Sequence, residues 1–241
     1  MRSKFIFGDK SSEDFGIRIE KLPAIMTPKR RMQTVSVPGR NGDLHYQENA
    51  FENYIQPYEC YFHSSLSTTK QAHAIHAWLL HSGTYQRLWD TYDPDHYRMV
   101  AFSGPLEITN YLKRYGRCVL NFDCAPQAFL VNGDYPCDYD SPGEIYNPTS
   151  VPATPHVTVY GTGSGTVTLG HTTVVIHSIV NQLELDCDLQ NAYRILDGGF
   201  VENCNLSVYA PVFPSLLPGV NLVDFSGGVT GVKIVPKWWE L

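Results

Sequence analysis

Charged residues are scarce in this sequence: Asp, Glu, Lys and Arg make up 17% of its 241 residues, against roughly 25% in an average soluble domain. Basic residues are scarcest in the second half. Residues 131–241 contain 3 Lys and Arg against 11 Asp and Glu, whereas residues 1–130 contain 15 against 13. The second half therefore has a net charge of −8, which argues against tight binding of nucleic acid. We expect no sequence-specific nucleic-acid partner.

Long apolar runs are absent as well. No stretch approaches the ~20 apolar residues that span a bilayer, and the opening MRSKFIFGDKSSEDFGI lacks the apolar segment of a secretory signal. These absences predict no membrane insertion and synthesis in a cytoplasm. The cysteines form no CxxC pair and no metal-finger spacing, so we expect reduced, mostly buried thiols. They are Cys60, Cys118, Cys124, Cys137, Cys187 and Cys204.

Motifs for metal binding and catalysis are also missing. His73, His76 and His81 fall in the predicted helix, but the HExxH glutamate is absent and His81 points away from the other two. The stretch WDTYDPDHY does not have the spacing of a calcium-binding loop and is typical of a turn between aromatic strands. No G-x-S-x-G motif occurs. The sequence therefore predicts no catalytic residue, no metal and no cofactor.

Strand patterns dominate what is present. The segment NYIQPYECYFH has the period-two alternation of a half-buried strand, with Tyr54, Pro57, Tyr58, Cys60 and Phe62 among polar neighbours. One segment, SLSTTKQAHAIHAWLLHSG, has helical spacing at Ala72, Ile75 and Leu79, and Ser67 or Thr68 can cap a helix of about 11–13 residues there. The fold class predicted is therefore mainly β with one α-helix.

Turn chemistry divides these strands. Asn41-Gly42, between VSV and LHY, is the favoured dipeptide of a two-residue hairpin turn. Residues 129–155 are rich in Pro, Gly, Asn, Ser and Asp, which predicts a linker or an interdomain crossover, with domains at 1–130 and 131–241. Beyond the linker, Gly163-Ser164-Gly165 is interpreted as a turn between short strands of an antiparallel sandwich.

Four stretches, taken in order, resemble the distal tail protein (Dit) family of bacteriophages with long non-contractile tails. These stretches are EDFGIRIEKLP, VPGRNGDLHY, CVLNFDCAPQAF and FPSLLPGVNLVDFSGGVTGVKIVPKWW, the last with Pro218-Gly219-Val220-Asn221 as a hairpin turn. The resemblance covers essentially the whole chain. It implies an N-terminal β-sandwich that forms a hexameric ring and a C-terminal galectin-like antiparallel β-sandwich.

The resemblance also implies a structural role and a set of partners. The protein would be a virion component at the tail tip, a homo-hexameric hub with DNA passing through its lumen. It would join the tail tube protein to a tail-associated hub or fibre protein and to receptor-binding or baseplate proteins. Residues 35–44 are expected to form an extended ribbon against the next protomer. The predicted oligomer contacts are Val35, Val37, Arg40, Asn41, Leu44 and Tyr46.

Two further groups of residues are predicted partner contacts, the basic run Lys29, Arg30 and Arg31 and the terminal pair Trp238 and Trp239. Neighbours on a strand point to opposite sides, so one of the two tryptophans should be exposed or touch a partner. Two other functions remain open. One is a carbohydrate-binding adsorption protein, although the second half contains one Arg and no Trp before Trp238. The other is a wall hydrolase that uses Asp90, Asp93 or Asp95.

Overall fold

The structure is a computed structural model that describes residues 3–63, 68–112 and 115–241. The chain divides into a first unit, residues 1–128 together with Leu241, and a second unit, residues 129–240. The predicted boundary at residue 130 lies two residues beyond this division. The predicted mainly β class is confirmed, and the strands pair in antiparallel fashion in both units.

The first unit contains ten strands in the described residues and one α-helix. In chain order they are β1 (Phe5–Phe7), β2 (Lys10–Ser11), β3 (Ile17–Ile19), β4 (Arg30–Val35), β5 (Leu44–Phe51), β6 (Tyr54–His63), α1 (Thr68–Leu79), β7 (Gln86–Asp90), β8 (His96–Ala101), β9 (Ile108–Leu112) and β10 (Tyr115–Leu130). The main sheet has the order β2-β1-β7-β8-β10-β6-β3, and β9 pairs with the start of β10. Strands β4 and β5 form a separate two-stranded sheet.

Strand β6 and helix α1 supply much of the first core. Tyr58, Cys60 and Phe62 are buried, as their alternation predicts, while Pro57 lies on the other face. Helix α1 is the predicted helix. Of its two predicted caps, Ser67 lies outside the described residues, and Thr68 is the first residue of the helix itself. It buries Ile75, Trp78 and Leu79. The Trp78 ring stacks on Phe15 with centroids 4.3 Å apart.

The second unit contains nine strands in the described residues. They are β11 (Cys137–Tyr139), β12 (Gly143–Asn147), β13 (His156–Leu169), β14 (Thr172–Asp186), β15 (Asn191–Ile195), β16 (Val201–Asn203), β17 (Val208–Tyr209), β18 (Gly219–Val235) and β19 (Trp239–Glu240). The order of one sheet is β11-β18-β13-β14-β15-β16, with β12 also on β18 and β17 also on β14. The predicted linker is wrong, because residues 129–155 contain strands β11 and β12, and both pair with β18 in the sheet of the second unit.

The three central strands β13, β14 and β18 are long, and their pairing is irregular at one level. The pairing of β13 with β14 and with β18 shifts register between Gly161 and Gly165. A Cβ on Gly228 would overlap the carbonyl oxygen of Thr162, so the two backbones meet there at a distance that only glycine permits. The interpretation of Gly163-Ser164-Gly165 as a turn is therefore wrong: it is a bulge inside β13.

The ends of the second unit meet. The Leu130 amide donates to the Trp238 carbonyl at 2.9 Å, and the Lys237 amide donates to the Gly133 carbonyl at 2.9 Å. The predicted turn at residues 218–221 is only partly correct, since β18 already begins at Gly219. Asn221, which is buried, holds the bend by accepting from the Leu217 amide and donating back to the Leu217 carbonyl.

Candidate assembly surfaces

The β4–β5 pair with its connecting loop, residues 30–51, is named the arm hairpin here. Its strands pair with each other and with no other described strand. Every residue from 29 to 48 is exposed. An isolated two-stranded hairpin is at best marginally stable in water. The arm hairpin therefore has a surface that the described part of its own chain does not cover.

The turn of the arm hairpin differs from the predicted one. The Arg40 amide donates to the Val37 carbonyl at 3.1 Å, and Gly39 between them has φ of +82°. Pro38 and Gly39 thus occupy the two central positions that a type II turn assigns to proline and glycine. Asn41 is not among the residues with positive φ, which a two-residue turn at Asn41-Gly42 would require. The predicted turn is wrong, and the dipeptide Pro38-Gly39 was the signal for the correct one.

The register of the arm hairpin gathers three of the predicted contact residues. Val35 lies opposite Leu44, and Gln33 lies opposite Tyr46. Since cross-strand partners share a face and side chains alternate along a strand, Val35, Leu44 and Tyr46 lie on one face. All three are exposed, Tyr46 to 66%. This face is an apolar stripe without a cover in the described chain.

The other predicted contact residues lie around that stripe. Val37, Arg40 and Asn41 are exposed in the loop between β4 and β5. Lys29, Arg30 and Arg31 are exposed where the arm hairpin begins, and the Arg30 guanidinium lies 4.7 Å from the centroid of the Phe51 ring. Sequence reasoning omitted Met32, which is also exposed and lies on the opposite face.

The terminal tryptophans have different environments. Trp238 is buried in the core of the second unit. Trp238 is therefore withdrawn as a partner contact, because the apolar interior of its own unit already covers its ring. Trp239 is partly exposed, and its indole N–H donates to the Pro152 carbonyl at 3.0 Å. Trp239 stays a predicted contact.

The acidic turn after β7 has a structural role. Asp90 is buried, accepts a 2.5 Å hydrogen bond from the Tyr58 hydroxyl, and accepts the amides of Tyr92 and Asp93. Burial, followed by the charge of Asp90, raises the pKa of Tyr58 well above its ordinary value. Asp93 accepts from Arg98 at 3.0 Å and contacts a ring nitrogen of His96 at 2.7 Å. Asp95 is exposed.

The histidines do not converge. His73 is exposed on α1, and His81, predicted to lie in the helix, falls two residues after its end at Leu79. Among the described residues, no group of three or more His, Cys, Asp or Glu side chains has the geometry to hold a metal ion. Nor does any helix in this part of the chain have the length and apolar character needed to cross a membrane.

The cysteines are free thiols. Cys60, Cys118, Cys124 and Cys187 are buried, as expected, and Cys137 and Cys204 are partly exposed. Burial raises the pKa of the Cys118, Cys124 and Cys187 thiols to about 12. These thiols stay protonated at neutral pH, which makes them poor nucleophiles.

Comparison with known proteins gives a match at the level of structure. No family model matches the sequence, and no curated protein matches it. A solved structure does match: the crystal structure of the phage SPP1 Dit (gp 19.1) protein, described as a paradigm of the hub adsorption apparatus in phages that infect Gram-positive bacteria. The similarity covers 100% of both chains with a TM-score of 0.73 at 12% sequence identity. The chain therefore has the fold of the SPP1 distal tail protein over its whole length.

Proposed function

We propose that this protein is the distal tail hub of a bacteriophage tail and that the first unit closes six copies into a ring. The observation that carries the proposal is the arm hairpin: an apolar stripe of Val35, Leu44 and Tyr46 on a ribbon that no described strand of its own chain supports. Aromatic and apolar side chains are typical of the buried centre of an interface. A neighbouring protomer in the ring supplies the missing cover.

The fold supports the same role. The similar SPP1 protein belongs to a hub adsorption apparatus, and the likeness extends from end to end of both chains. In this proposal the ring joins the tail tube protein to a tail-associated hub or fibre protein and to receptor-binding or baseplate proteins. DNA passes through the lumen without base-specific contacts, and the protein resides at the tail tip of the virion. The second unit is a galectin-like domain in this role.

The other functions receive less support from the described residues. A sugar site of the galectin type would place a Trp under the sugar ring beside free donors. Here Trp238 is buried, the Trp239 indole N–H donates to the Pro152 carbonyl, and Arg194 is paired with Glu202. A hydrolase would need two carboxyl groups facing a substrate. Asp90 instead binds the Tyr58 hydroxyl and two backbone amides within its own turn. The hub proposal therefore assigns no catalytic residue.

The solution mass of the protein tests the ring. Six chains of 27.1 kDa give a particle of roughly 160 kDa with six-fold symmetry in negative-stain images. Replacing Val35 and Val37 together with Asp should shift this particle to monomer, because two charges would then have to be buried without partners. The matched control replaces Val180 and Val220, two exposed valines of the second unit, with Asp.

The control variant should keep the mass of the wild-type particle. An arm variant with unchanged mass would remove Val35 and Val37 from the interface. A wild-type chain that stays monomeric both alone and when mixed with purified tail tubes would overturn the hub proposal itself.

A further inference from the structure

The hairpin formed by β15 and β16, residues 191–203, is named the tip hairpin here. Strand β15 pairs with β14 only through Asn191, Ala192 and Tyr193. Beyond that point Arg194 and Ile195 pair with β16 alone, opposite Glu202 and Val201. The end is closed by the Leu196 amide, which donates to the Phe200 carbonyl at 2.8 Å. The outer half of this hairpin therefore extends beyond the strand that supports its base.

Exposed apolar side chains lie on both faces of that outer half, beside the Arg194–Glu202 ion pair. Ile195 and Val201 are opposite each other and share one face, with Val201 exposed to 67%. Leu196 and Phe200, the next pair outward, are also exposed, Phe200 to 72%. A hairpin of this size is not independently stable in water, and exposed apolar clusters mark interaction sites. These exposed apolar side chains are of the kind that become buried when a partner binds.

The charge around the tip hairpin limits what that partner can be. The second unit contains 3 basic and 11 acidic residues. Each of the three cations already has a carboxylate within 4 Å: Arg194 with Glu202, Lys233 with Asp138, and Lys237 with Asp134. Asp197 is exposed in the turn of the tip hairpin itself. An approaching surface therefore meets apolar side chains in a negative field.

We propose that the tip hairpin is the docking element for a partner protein whose matching surface combines apolar and basic side chains. A basic rim gains from the carboxylates, and the apolar centre covers Leu196 and Phe200. The field disfavours a second copy of this unit and an anionic lipid surface, since both would bring like charge to the same place. The inference rests on the proposed hub role only in making the partner another component of the tail.

Synthetic peptides test this chemistry on the purified full chain. One peptide alternates Val with Lys over about 12 residues, the form of a strand that could add to a sheet edge, and its matched peptide has Glu at every Lys position. Binding is measured by fluorescence anisotropy. We expect the Lys peptide to bind at least about tenfold more tightly than the Glu peptide. Raising NaCl from about 50 to 300 mM should weaken its binding.

A matched pair of variants separates the apolar anchors from general attraction to an acidic domain. The double variant Leu196→Ser with Phe200→Ser removes the two outer apolar side chains without changing the charge. It should weaken binding of the Lys peptide about tenfold. Tyr146→Ser with Val220→Ser is the control, because these residues are also exposed and lie opposite each other in the same unit. It should leave binding within about twofold of the wild type. Circular dichroism checks that both variants are folded.

Several results would overturn the proposal. The first is equal affinity for the two peptides, and equal loss of binding in both variants would have the same force. The second is self-association of the wild-type chain that the Leu196 and Phe200 changes abolish, which would make a second copy the occupant. The third is sedimentation with anionic phosphatidylglycerol vesicles that those same changes abolish. The peptide and vesicle outcomes do not depend on ring mass. Self-association at the tip hairpin is distinguished from ring formation, because the ring should be lost on changing Val35 and Val37 and kept on changing Leu196 and Phe200.

Discussion

The hydroxyl of Tyr58 and the carboxylate of Asp90 meet 2.5 Å apart inside the first unit, where both residues are almost fully buried. The bond links strand β6 to the end of β7 across 32 positions of sequence. Asp90 also fixes the turn after β7 by accepting two amides. One polar pair thus sets both a core contact and a turn.

Tyr58→Phe should lower the free energy of unfolding by about 1–3 kcal/mol, because the buried carboxylate of Asp90 would lose a donor while staying out of water. Urea unfolding followed by tryptophan fluorescence measures the change. Tyr61→Phe is the control, since Tyr61 lies on the same strand with an exposed side chain. It should change stability by less than about 0.5 kcal/mol. Equal effects of the two substitutions would show that the Tyr58 bond contributes nothing net.

Among the elements, strands β13 and β18 of the second unit depend on a close backbone approach at the bulge. At Gly228 an added Cβ would overlap the Thr162 carbonyl oxygen and lie 2.9 Å from its carbonyl carbon. Backbone atoms of a central strand pair cannot move aside without breaking ladder hydrogen bonds. The close approach of β13 and β18 therefore needs a residue without a side chain at this position.

Gly228→Ala should destabilise the protein by more than about 2 kcal/mol, the range of substitutions that force backbone shifts in a packed interior. Gly83→Ala serves as the matched control, because a Cβ there meets no atom within 4 Å and the residue does not have positive φ. Thermal unfolding by circular dichroism reads out both. A Gly228 variant as stable as the Gly83 variant would contradict the close approach of β13 and β18.

The elements also show what the sequence predicts and where prediction stops. Local periodicity identified β6 and α1, because each buries one face and its apolar residues repeat with the period of the element. The bulge in β13 was mistaken for a turn, since glycine marks both and the distinction lies in a partner strand about 60 residues away. The composition of residues 129–155 resembles that of a linker because the two strands in this segment, which pair with β18, are short and turn residues fill much of the remainder.

The sequence also predicts one of the candidate surfaces and misses another. Val35, Leu44 and Tyr46 could be predicted as contacts from a resemblance and from their strand-like setting. The tip hairpin was not predicted, because the apolar residues Ile195, Leu196, Phe200 and Val201 look like core residues until the pairing of β15 with β14 is known to stop at Tyr193. Trp238 was assigned to a partner because alternation gives opposite faces but does not say which of two neighbours is buried.

At the scale of the whole molecule, buried thiols link stability to pH. The pKa of Cys118, Cys124 and Cys187 rises from 9.0 to about 12 on burial, and the pKa of Cys60 also rises well above 9.0. The folded state thus holds protons that the unfolded chain releases. The stability from keeping these thiols neutral is fully present below pH 9.0 and is lost as the pH rises towards 12.

Under reducing conditions we expect the free energy of unfolding to fall above pH 9.0, with a limiting slope of about 1.4 kcal/mol per pH unit for each such thiol. Urea unfolding at a series of pH values measures the slope. Cys118→Ala should reduce this slope by about the contribution of one thiol. Cys204→Ala, which removes a partly exposed thiol, should change it less. A slope that is the same in wild type and Cys118→Ala would contradict the linkage.

The second unit begins and ends at one place, where Leu130 is hydrogen-bonded to Trp238. A segment that begins and ends at one place can be lengthened or exchanged without displacing the strand that leads into it. In evolutionary terms the second unit is a cassette: it can be replaced, or a loop within it enlarged, while the first unit keeps its own strand order. Sequence changes in the first unit and in the second can then accumulate on separate stretches of one gene.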